Sequence, residues 1–170
     1  VDSEMITNRV LQKNFARHGL HIKQEDFAAL FVGGTMQGLM NSARDLGAQL
    51  PDNWLDEIYP EMFSALEQHV TPVKGAIDVL NALDAAGIPY AIGSNGPHEK
   101  MDITLARTGL AERFKGRIYS RVDVAKGKPA PDVYLKAARD AGIPPARCVV
   151  VEDSATGAKA GVAAGMYTFG

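Results

Sequence analysis

The sequence has 170 residues, 46% of them hydrophobic, which is enough for one sizeable core and a smaller appended unit. The 18 Lys and Arg residues nearly balance 20 Asp and Glu residues, and the net charge of -2 gives no electrostatic reason to expect a nucleic acid or a membrane surface as partner. The single cysteine, Cys148, excludes an internal disulfide, and no apolar run approaches the ~18 residues of a membrane span. Because no signal-peptide pattern is recognisable either, we expect a cytoplasmic protein.

The first seventy residues contain apolar positions at helical spacing and no alternating strand pattern. Gly33 and Gly34 interrupt the helical pattern between the second and third predicted helices, where a loop is expected. We therefore predict a helical module over residues 5–69, preceded by residues 1–4 as a remnant of the adjoining core. The four predicted helices contain Ile6, Val10, Leu11 and Phe15; Phe27, Leu30 and Phe31; Met36, Leu39, Met40, Ala43 and Leu46; and Trp54, Ile58, Met62, Ala65 and Leu66.

Beyond Thr71 the pattern changes to a helix, a glycine and a short apolar segment. This pattern occurs in "LDAAGIPYAIGSN", "ARDAGIPPARCVVVED" and "VAAGMYTFG", and "GRIYSRVD" supplies one more predicted strand. A glycine directly after a helix, followed by a strand, is typical of alternating α/β units. We therefore predict an α/β core over residues 70–170, with an open parallel sheet and helices on both faces. The segment "HVTPVKGA" would be the hinge.

Polar residues stand where the predicted strands end. "YAIGSNG" ends on Ser94 and Asn95, and the apolar run of "CVVVED", predicted to be a fully buried strand, ends on Glu152 and Asp153. Between them in the chain, "KGKPAPDVYL" places Lys128 directly before a stiff Pro-x-Pro. Ligands of open parallel sheets bind beyond the carboxyl ends of the strands. These residues are therefore the candidates for a functional site.

Each of these residues also has a purely structural interpretation. Taken alone, Ser94 and Asn95 are more typical of a turn or a helix N-cap. A lone Lys128 is more typical of a solvated surface lysine. Asp153 or Ser154 would serve to cap the next helix. No single residue therefore decides between structure and function.

Taken together, the three segments suit the binding of a phosphoryl group. Adjacent carboxylates at a strand end repel each other unless a cation compensates them, and Mg²⁺ prefers one or two carboxylates with water and phosphate oxygens. Ser94 would donate hydrogen bonds, while Lys128 would bind phosphate or keep a carboxylate nucleophile ionised. We therefore predict Glu152 and Asp153 as Mg²⁺ ligands, and Lys128 and Ser94 as catalytic residues.

In their order along the chain, these segments resemble the haloacid dehalogenase superfamily of phosphatases and mutases. "SNG" is similar to its second motif, "KGKPAPDVYL" to its third and "VVVEDSATGAKAGVAAGM" to its fourth, and the helical module is similar to its small cap. The resemblance implies an enzyme that hydrolyses a small phosphorylated metabolite with Mg²⁺. The residues expected to bind phosphate or substrate are Ser94, Asn95, Gly96 and Lys128 of the core, with Gly33 and Thr35 of the module.

The first motif of this family is missing from the sequence. In the family it is an Asp-x-Asp-x-Thr/Val segment, whose first Asp forms an aspartyl-phosphate and whose second protonates the leaving group. "VDSE" at the start of the chain is similar to the residues that come directly after that motif in the family. The resemblance thus implies a nucleophile before Val1, on a strand between those that end at Ser94 and Glu152. We expect the 170 residues alone to be inactive and not to fold as a stable monomer.

Three functions stay open. "SNGPHEKM" is similar to phosphatases of sugar phosphates or of phosphorylated sugar acids such as 6-phosphogluconate, which we favour. A β-phosphoglucomutase-like mutase is the alternative, although such mutases carry a His where Thr7 stands and a basic residue soon after the cap glycine. The third possibility is a catalytically inactive interaction or signalling domain. Receiver domains are disfavoured because their Lys comes after the acidic pair, whereas Lys128 precedes Glu152. We expect a monomer or a weak homodimer.

Overall fold

A computed structural model describes residues 1–31 and 35–170 of the chain. The chain separates into two compact units, Val1–Lys74 and Gly75–Gly170, each of which is described by itself. Gly33, which is predicted to contact substrate, lies outside the described residues. In the described part of the chain, no helix is long and apolar enough to cross a membrane.

The first unit consists of four helices in its described residues: α1 (Glu4–Arg17), α2 (Gln24–Phe31), α3 (Met36–Asp45) and α4 (Trp54–His69). Each of them contains the apolar residues that predicted it, except that Leu46 follows α3 as its C-cap. No strand occurs in residues 1–31 or 35–74, which agrees with the helical periodicity of the sequence. The predicted all-helical character is therefore confirmed for the described residues of this unit.

Aromatic rings form the centre of this helical unit. Phe15 and Trp54 are fully buried and stack with their ring centroids 5.5 Å apart. The indole nitrogen of Trp54 donates a hydrogen bond to Asn14 Oδ1 at 2.7 Å. Asn14 in turn donates to Glu61, which also pairs with Arg17 at the surface. The buried indole N–H of Trp54 and the buried Asn14 amide are thus satisfied by contacts between α1 and α4, as burial requires.

The second unit alternates helices and strands, as predicted. Its α-helices are followed by glycines with positive φ, among them Gly87 (64°), Gly142 (68°) and Gly165 (73°). These three glycines are the ones that predicted the alternation. The elements are α5 (Ala76–Ala85), β1 (Ile92–Ser94), α6 (His98–Arg107), α7 (Ala111–Phe114), β2 (Ile118–Ser120), α8 (Asp132–Asp140), β3 (Val149–Val151), α9 (Ala155–Ala163) and β4 (Tyr167–Phe169).

The strands form two parallel pairs, β1 with β2 and β3 with β4. On one face of the first pair, side chains of α6 and α7 pack with Ile92 and Ile118. The opposite face receives α8, whose Val133 and Tyr134 pack with Tyr119. The first pair therefore lies between two helical layers, as expected of a parallel α/β core. Among the described residues no ladder joins β1 to β3, so the predicted strand between them stays a prediction.

The prediction that β3 is fully buried is wrong. Val150 is 5% exposed, but its neighbours Val149 and Val151 are 60% and 81% exposed. The reason is that α9 covers only the face carrying Val150; an apolar run in a sequence does not reveal whether both faces are covered. Cys148 lies just before β3 and not within a buried strand; it is half-buried, with its sulfur 3.5 Å from the Pro144 carbonyl oxygen.

The Trp54–Asn14 hydrogen bond leads to a test of the helical unit. Asn14→Ala would leave the buried indole N–H without an acceptor, so the free energy of unfolding should fall by about 1–3 kcal/mol. Arg17→Ala is the matched control, because it removes another partner of Glu61 but at a side chain that is 57% exposed; it should cost less than about 1 kcal/mol. Urea unfolding can be followed by the fluorescence of Trp54, the single tryptophan of the sequence. Equal losses in the two variants would contradict the expectation.

Candidate functional site

A tight turn after β1 carries Ser94 to Gly96. The Ser94 hydroxyl oxygen accepts a hydrogen bond from the Gly96 amide at 3.0 Å. A hydroxyl that accepts one hydrogen bond still has its own proton to donate. Ser94 therefore keeps a donor for an anion, and its half-buried position limits competition from water.

Asn95 connects this turn to the loop that holds Lys128. Its Nδ2 donates to the Lys128 carbonyl at 3.0 Å, and its Oδ1 accepts from the Lys128 amide at 2.8 Å. A Cβ at Gly127 would lie 2.8 Å from the same Oδ1, so the glycine makes room for the contact. The structure thus places Asn95 as a link between two predicted site segments. The direct contact with substrate predicted for it stays a prediction.

The Lys128 side chain is not a solvated surface lysine. Its ammonium group pairs with Glu152 Oε1, and the two side chains are only 8% and 10% exposed. The hydroxyl of Tyr134 donates to the same Oε1 at 2.7 Å, and the Lys128 nitrogen lies 4.8 Å from the Tyr134 ring centroid. Lys128, Glu152 and Tyr134 therefore form one buried polar cluster, held between α8 and the end of β3.

Glu152 is ionised in this cluster. Burial raises the pKa of Glu152, but hydrogen bonds from Lys128, Tyr134 and Ser154 lower it by more, so the pKa lies below its usual range. Burial, together with the hydrogen bond to Glu152, raises the pKa of Tyr134, which stays a neutral donor. The second oxygen of Glu152, Oε2, accepts from the Ser154 hydroxyl at 2.8 Å. Both carboxylate oxygens are thus held by donors of the chain.

The first residues of α9 and its N-cap lie against the Glu152 carboxylate. Ser154 is the N-cap, as one interpretation of the sequence predicted, and its oxygen accepts from the Gly157 amide at 3.0 Å. A Cβ at Gly157 would overlap the Glu152 carboxylate. Only glycine at this position leaves room for Glu152 to face Lys128.

Asp153, the other predicted metal ligand, is exposed and makes no hydrogen bond or ion pair with any described residue. No group of three His, Cys, Asp or Glu side chains in the described part of the chain is arranged to hold a metal ion. Asp153 with Glu152 beside it nevertheless fits Mg²⁺, which commonly takes one or two carboxylates and fills its remaining positions with water and phosphate oxygens. Asp153 is the better candidate because Glu152 is already held by donors.

A second hydrogen-bonded group near the Ser94 turn was missed by the sequence analysis. The buried Ser120 hydroxyl donates to the Gly96 carbonyl at 2.6 Å, and the Ser120 amide donates to Asp123 Oδ2 at 2.7 Å. His98 Nε2 lies 2.8 Å from Asp123 Oδ1. Hydrogen bonds from His98 and from the Ser120 amide hold the pKa of Asp123 below its usual range. The Ser-x-x-Asp spacing was the available signal, since it is a capping-box pattern.

In the helical unit, Thr35 is the N-cap of α3. Its hydroxyl oxygen accepts from the Gly38 amide at 3.1 Å, and its side chain is exposed. This accounts for Thr35 structurally. Its predicted contact with substrate stays a prediction, as does that of Gly33.

Comparison with known protein families gives a match to haloacid dehalogenase-like hydrolase over residues 1–165. The chain belongs to this family. The predicted superfamily is thereby confirmed, and so are the parallel α/β fold with a helical cap and the enzyme class, a hydrolase of phosphoric monoesters.

Among curated proteins, 6-phosphogluconate phosphatase of Escherichia coli (strain K12) is 27% identical over 99% of this chain and 76% of that protein. Hexitol phosphatase A of the same organism is 39% identical over 58% of this chain and 44% of that protein. Among solved structures, a HAD family hydrolase from Deinococcus radiodurans R1 with bound phosphate and sodium is 39% identical, with a TM-score of 0.78. It is matched over 96% of this chain and 72% of that one.

The buried cluster predicts how stability depends on pH. Because the pKa of Glu152 is lowered by folding, its contribution is complete above the usual carboxylate pKa of about 4.3 and is lost as the pH falls through the folded value. Glu152→Gln would leave Lys128 buried without its counter-charge and should cost about 3 kcal/mol at pH 7. The difference from wild type should shrink below about pH 4. Thermal melting of the wild type and the variant at a series of pH values, without added divalent cations, measures this difference in stability.

Asp153→Asn is the matched control for this prediction, since it removes the same charge from the adjacent, exposed position. It should melt within a degree or two of wild type across the same pH range. A Glu152→Gln difference that is independent of pH would contradict the assignment of Glu152 as the ionised partner of Lys128.

Proposed function

We propose that the protein is a Mg²⁺-dependent phosphatase acting on a small phosphorylated metabolite, a sugar phosphate or a phosphorylated sugar acid. The observation that carries the proposal is the connected arrangement of Ser94, Asn95, Lys128 and Glu152 at the ends of β1 and β3. It brings a hydroxyl donor, an ammonium group and two adjacent carboxylates to the strand ends where open α/β sheets bind ligands.

Lys128 would be the main electrostatic contact to the phosphoryl group. An ammonium group has three donors, and the ion pair with Glu152 Oε1 uses one of them, so others can reach phosphate oxygens. With only 8% of the Lys128 side chain exposed, its charge is weakly screened by water. Glu152 would fix the position of the ammonium group. Ser94 would donate its free proton to another phosphate oxygen.

Asp153 would hold Mg²⁺, with Glu152 next to it. When bound, the ion would neutralise charge on the phosphoryl oxygens and help to align the group. The opposite environments of the two carboxylates support this division of roles, because Glu152 is committed to Lys128 while Asp153 faces solvent. The solved relative with phosphate and sodium is also consistent with a family that binds an anion and a cation.

The substrate class rests on the relatives. 6-phosphogluconate phosphatase and hexitol phosphatase A are named for phosphorylated sugar derivatives, and the first is matched over 99% of this chain. The mutase alternative draws less support, because the β-phosphoglucomutase structures are 20% and 17% identical and show the fold alone. We therefore propose hydrolysis, with water as the acceptor of the phosphoryl group.

The two reactions differ in their products. The full-length protein with Mg²⁺ can be offered 6-phosphogluconate, hexitol phosphates and β-glucose 1-phosphate in parallel. A phosphatase releases inorganic phosphate from its preferred substrate, whereas a mutase converts β-glucose 1-phosphate to glucose 6-phosphate without releasing it. Isomerisation without phosphate release would contradict the proposal, and so would the absence of any reaction across the panel.

The role of Lys128 predicts a sharp difference between two lysines of one loop. Lys128→Met should lower kcat/KM about 100-fold or more, the scale seen when a preorganised electrostatic contact is removed. Lys126→Met makes the same change in charge two residues away at an exposed position and should stay within twofold of wild type. Phosphate release by the full-length protein measures both. Similar losses in the two variants would remove Lys128 from the site.

Gly157 provides a test that introduces no change of charge. Gly157→Ala should push the Glu152 carboxylate away from Lys128 and lower kcat/KM strongly. It should also lower the melting temperature, because the buried Lys128 loses its counter-charge, so activity is measured at a temperature at which the variant is folded. Gly161→Ala is the control on the same helix, where the new Cβ would lie 2.5 Å from Thr168 Oγ1 and 3.2 Å from Val150 Cβ. It should lower the melting temperature but leave kcat/KM of the folded protein nearly unchanged.

The reverse pattern would contradict this expectation. If Gly157→Ala kept full activity, the Lys128–Glu152 pair would not be needed for turnover. Circular dichroism of both variants at the assay temperature separates loss of fold from loss of function.

A further inference from the structure

Ser120 is a fully buried polar residue outside the motifs that predicted the site. It ends β2 and stands opposite Ser94 in the β1–β2 ladder. Buried hydroxyl groups need hydrogen-bond partners, and this one donates to the Gly96 carbonyl at 2.6 Å and accepts from the Val122 amide at 3.3 Å. The bond to Gly96 joins residues that are 24 positions apart in the sequence.

Gly96 connects the Ser120 hydroxyl to the Ser94 hydroxyl by two successive hydrogen bonds. Ser120 holds the carbonyl of Gly96, and the amide of Gly96 donates to Ser94 Oγ at 3.0 Å. Since that bond occupies a lone pair of the Ser94 oxygen, it also determines the directions left for the Ser94 proton. The orientation of a surface turn is thereby set from a buried side chain on the next strand.

We propose that Ser120 is a positioning residue for the phosphate-binding turn, and that it acts through Gly96 on the Ser94 hydroxyl. This inference rests on the function proposed above, because it takes Ser94 to be a phosphate donor. Ser120 itself does not contact the substrate. It keeps the Gly96 backbone in the orientation in which the Ser94 proton is aimed at a phosphoryl oxygen before the substrate arrives, and such preorganisation strengthens binding.

Ser120 also has a structural role, which the test must separate from positioning. It is the N-cap of the short 3₁₀ turn Arg121–Asp123, where its amide donates to Asp123 Oδ2 at 2.7 Å. Asp123 completes the same capping box but has no hydrogen bond to Gly96. Asp123→Ala therefore disturbs the turn without removing the Ser120–Gly96 bond, and it serves as the matched control.

The experiment is a double-mutant cycle in the full-length protein with Mg²⁺, read out as the inhibition constant of inorganic phosphate and as separate kcat and KM values. Ser120→Ala should raise the inhibition constant about tenfold, because the Ser94 hydroxyl would no longer be aimed at the phosphate. Tenfold is about the effect of losing one well-placed hydrogen bond to a charged group. In the Ser94→Ala background, the same substitution should change it less than twofold, because the group through which Ser120 acts is gone. Asp123→Ala should leave phosphate inhibition within twofold.

The other possible outcomes contradict either the positioning role of Ser120 or the proposed phosphate site. An equal effect of Ser120→Ala with and without the Ser94 hydroxyl, or no effect at all, overturns the positioning role. An Asp123→Ala effect as large as that of Ser120→Ala assigns the result to the turn and also overturns it. If Ser94→Ala alone leaves phosphate inhibition unchanged, the proposed phosphate site is wrong. Should Ser120→Ala fail to fold, Ser120→Cys keeps a similar volume with a weaker donor, and phosphate inhibition equal to wild type in that variant refutes the role.

Discussion

The buried ion pair between Lys128 and Glu152 is the interaction on which the rest of the site depends. Removing two charges from water is costly unless each finds further partners. Here the partners come from separate elements: the Tyr134 hydroxyl from α8 and the Ser154 hydroxyl from the start of α9. The main chain of Lys128 is fixed independently by Asn95 after β1. Satisfying one ion pair therefore ties together the strand ends that form the candidate site.

The same pair explains how two carboxylates can stand side by side at the end of β3. The sequence suggested that one divalent cation compensates both, but in the structure the compensating charge of Glu152 is a lysine. Asp153 points to solvent, where an isolated charge costs little. The two acids are thus different in kind: one is a buried structural anion that orients an ammonium group, and the other is available to a metal ion. A chain with only the second carboxylate would leave Lys128 buried and unpaired.

The sequence predicted the helices, the strands and the segments of the site because these depend on local spacing and on charged residues, which stand out in a sequence. It did not predict the neutral contacts. Tyr134 lies at an apolar position of an amphipathic helix, so nothing in the pattern distinguishes its hydroxyl. The Ser-x-x-Asp spacing at Ser120 indicates a cap but not the hydrogen bond to Gly96, which joins two segments that are distant in the sequence. The burial of β3 was overestimated for a related reason, since coverage of a strand by helices is a property of tertiary packing. Thr35 caps a helix, and its predicted contact with substrate stays a prediction.

Three glycines show how closely packing and function are joined here. Each faces a contact that a Cβ would disturb, but the disturbed partners differ. At Gly93 the Cβ would lie 2.7 Å from Val133 of α8, a core side chain with little freedom, so this glycine protects the fold. At Gly127 and Gly157 the partners are Asn95 Oδ1 and the Glu152 carboxylate, the ends of two polar side chains that hold Lys128. Moving either of them would disturb the alignment of Lys128, and moving Glu152 would also take the counter-charge away from a buried ammonium group, so at these positions one contact limits both activity and stability.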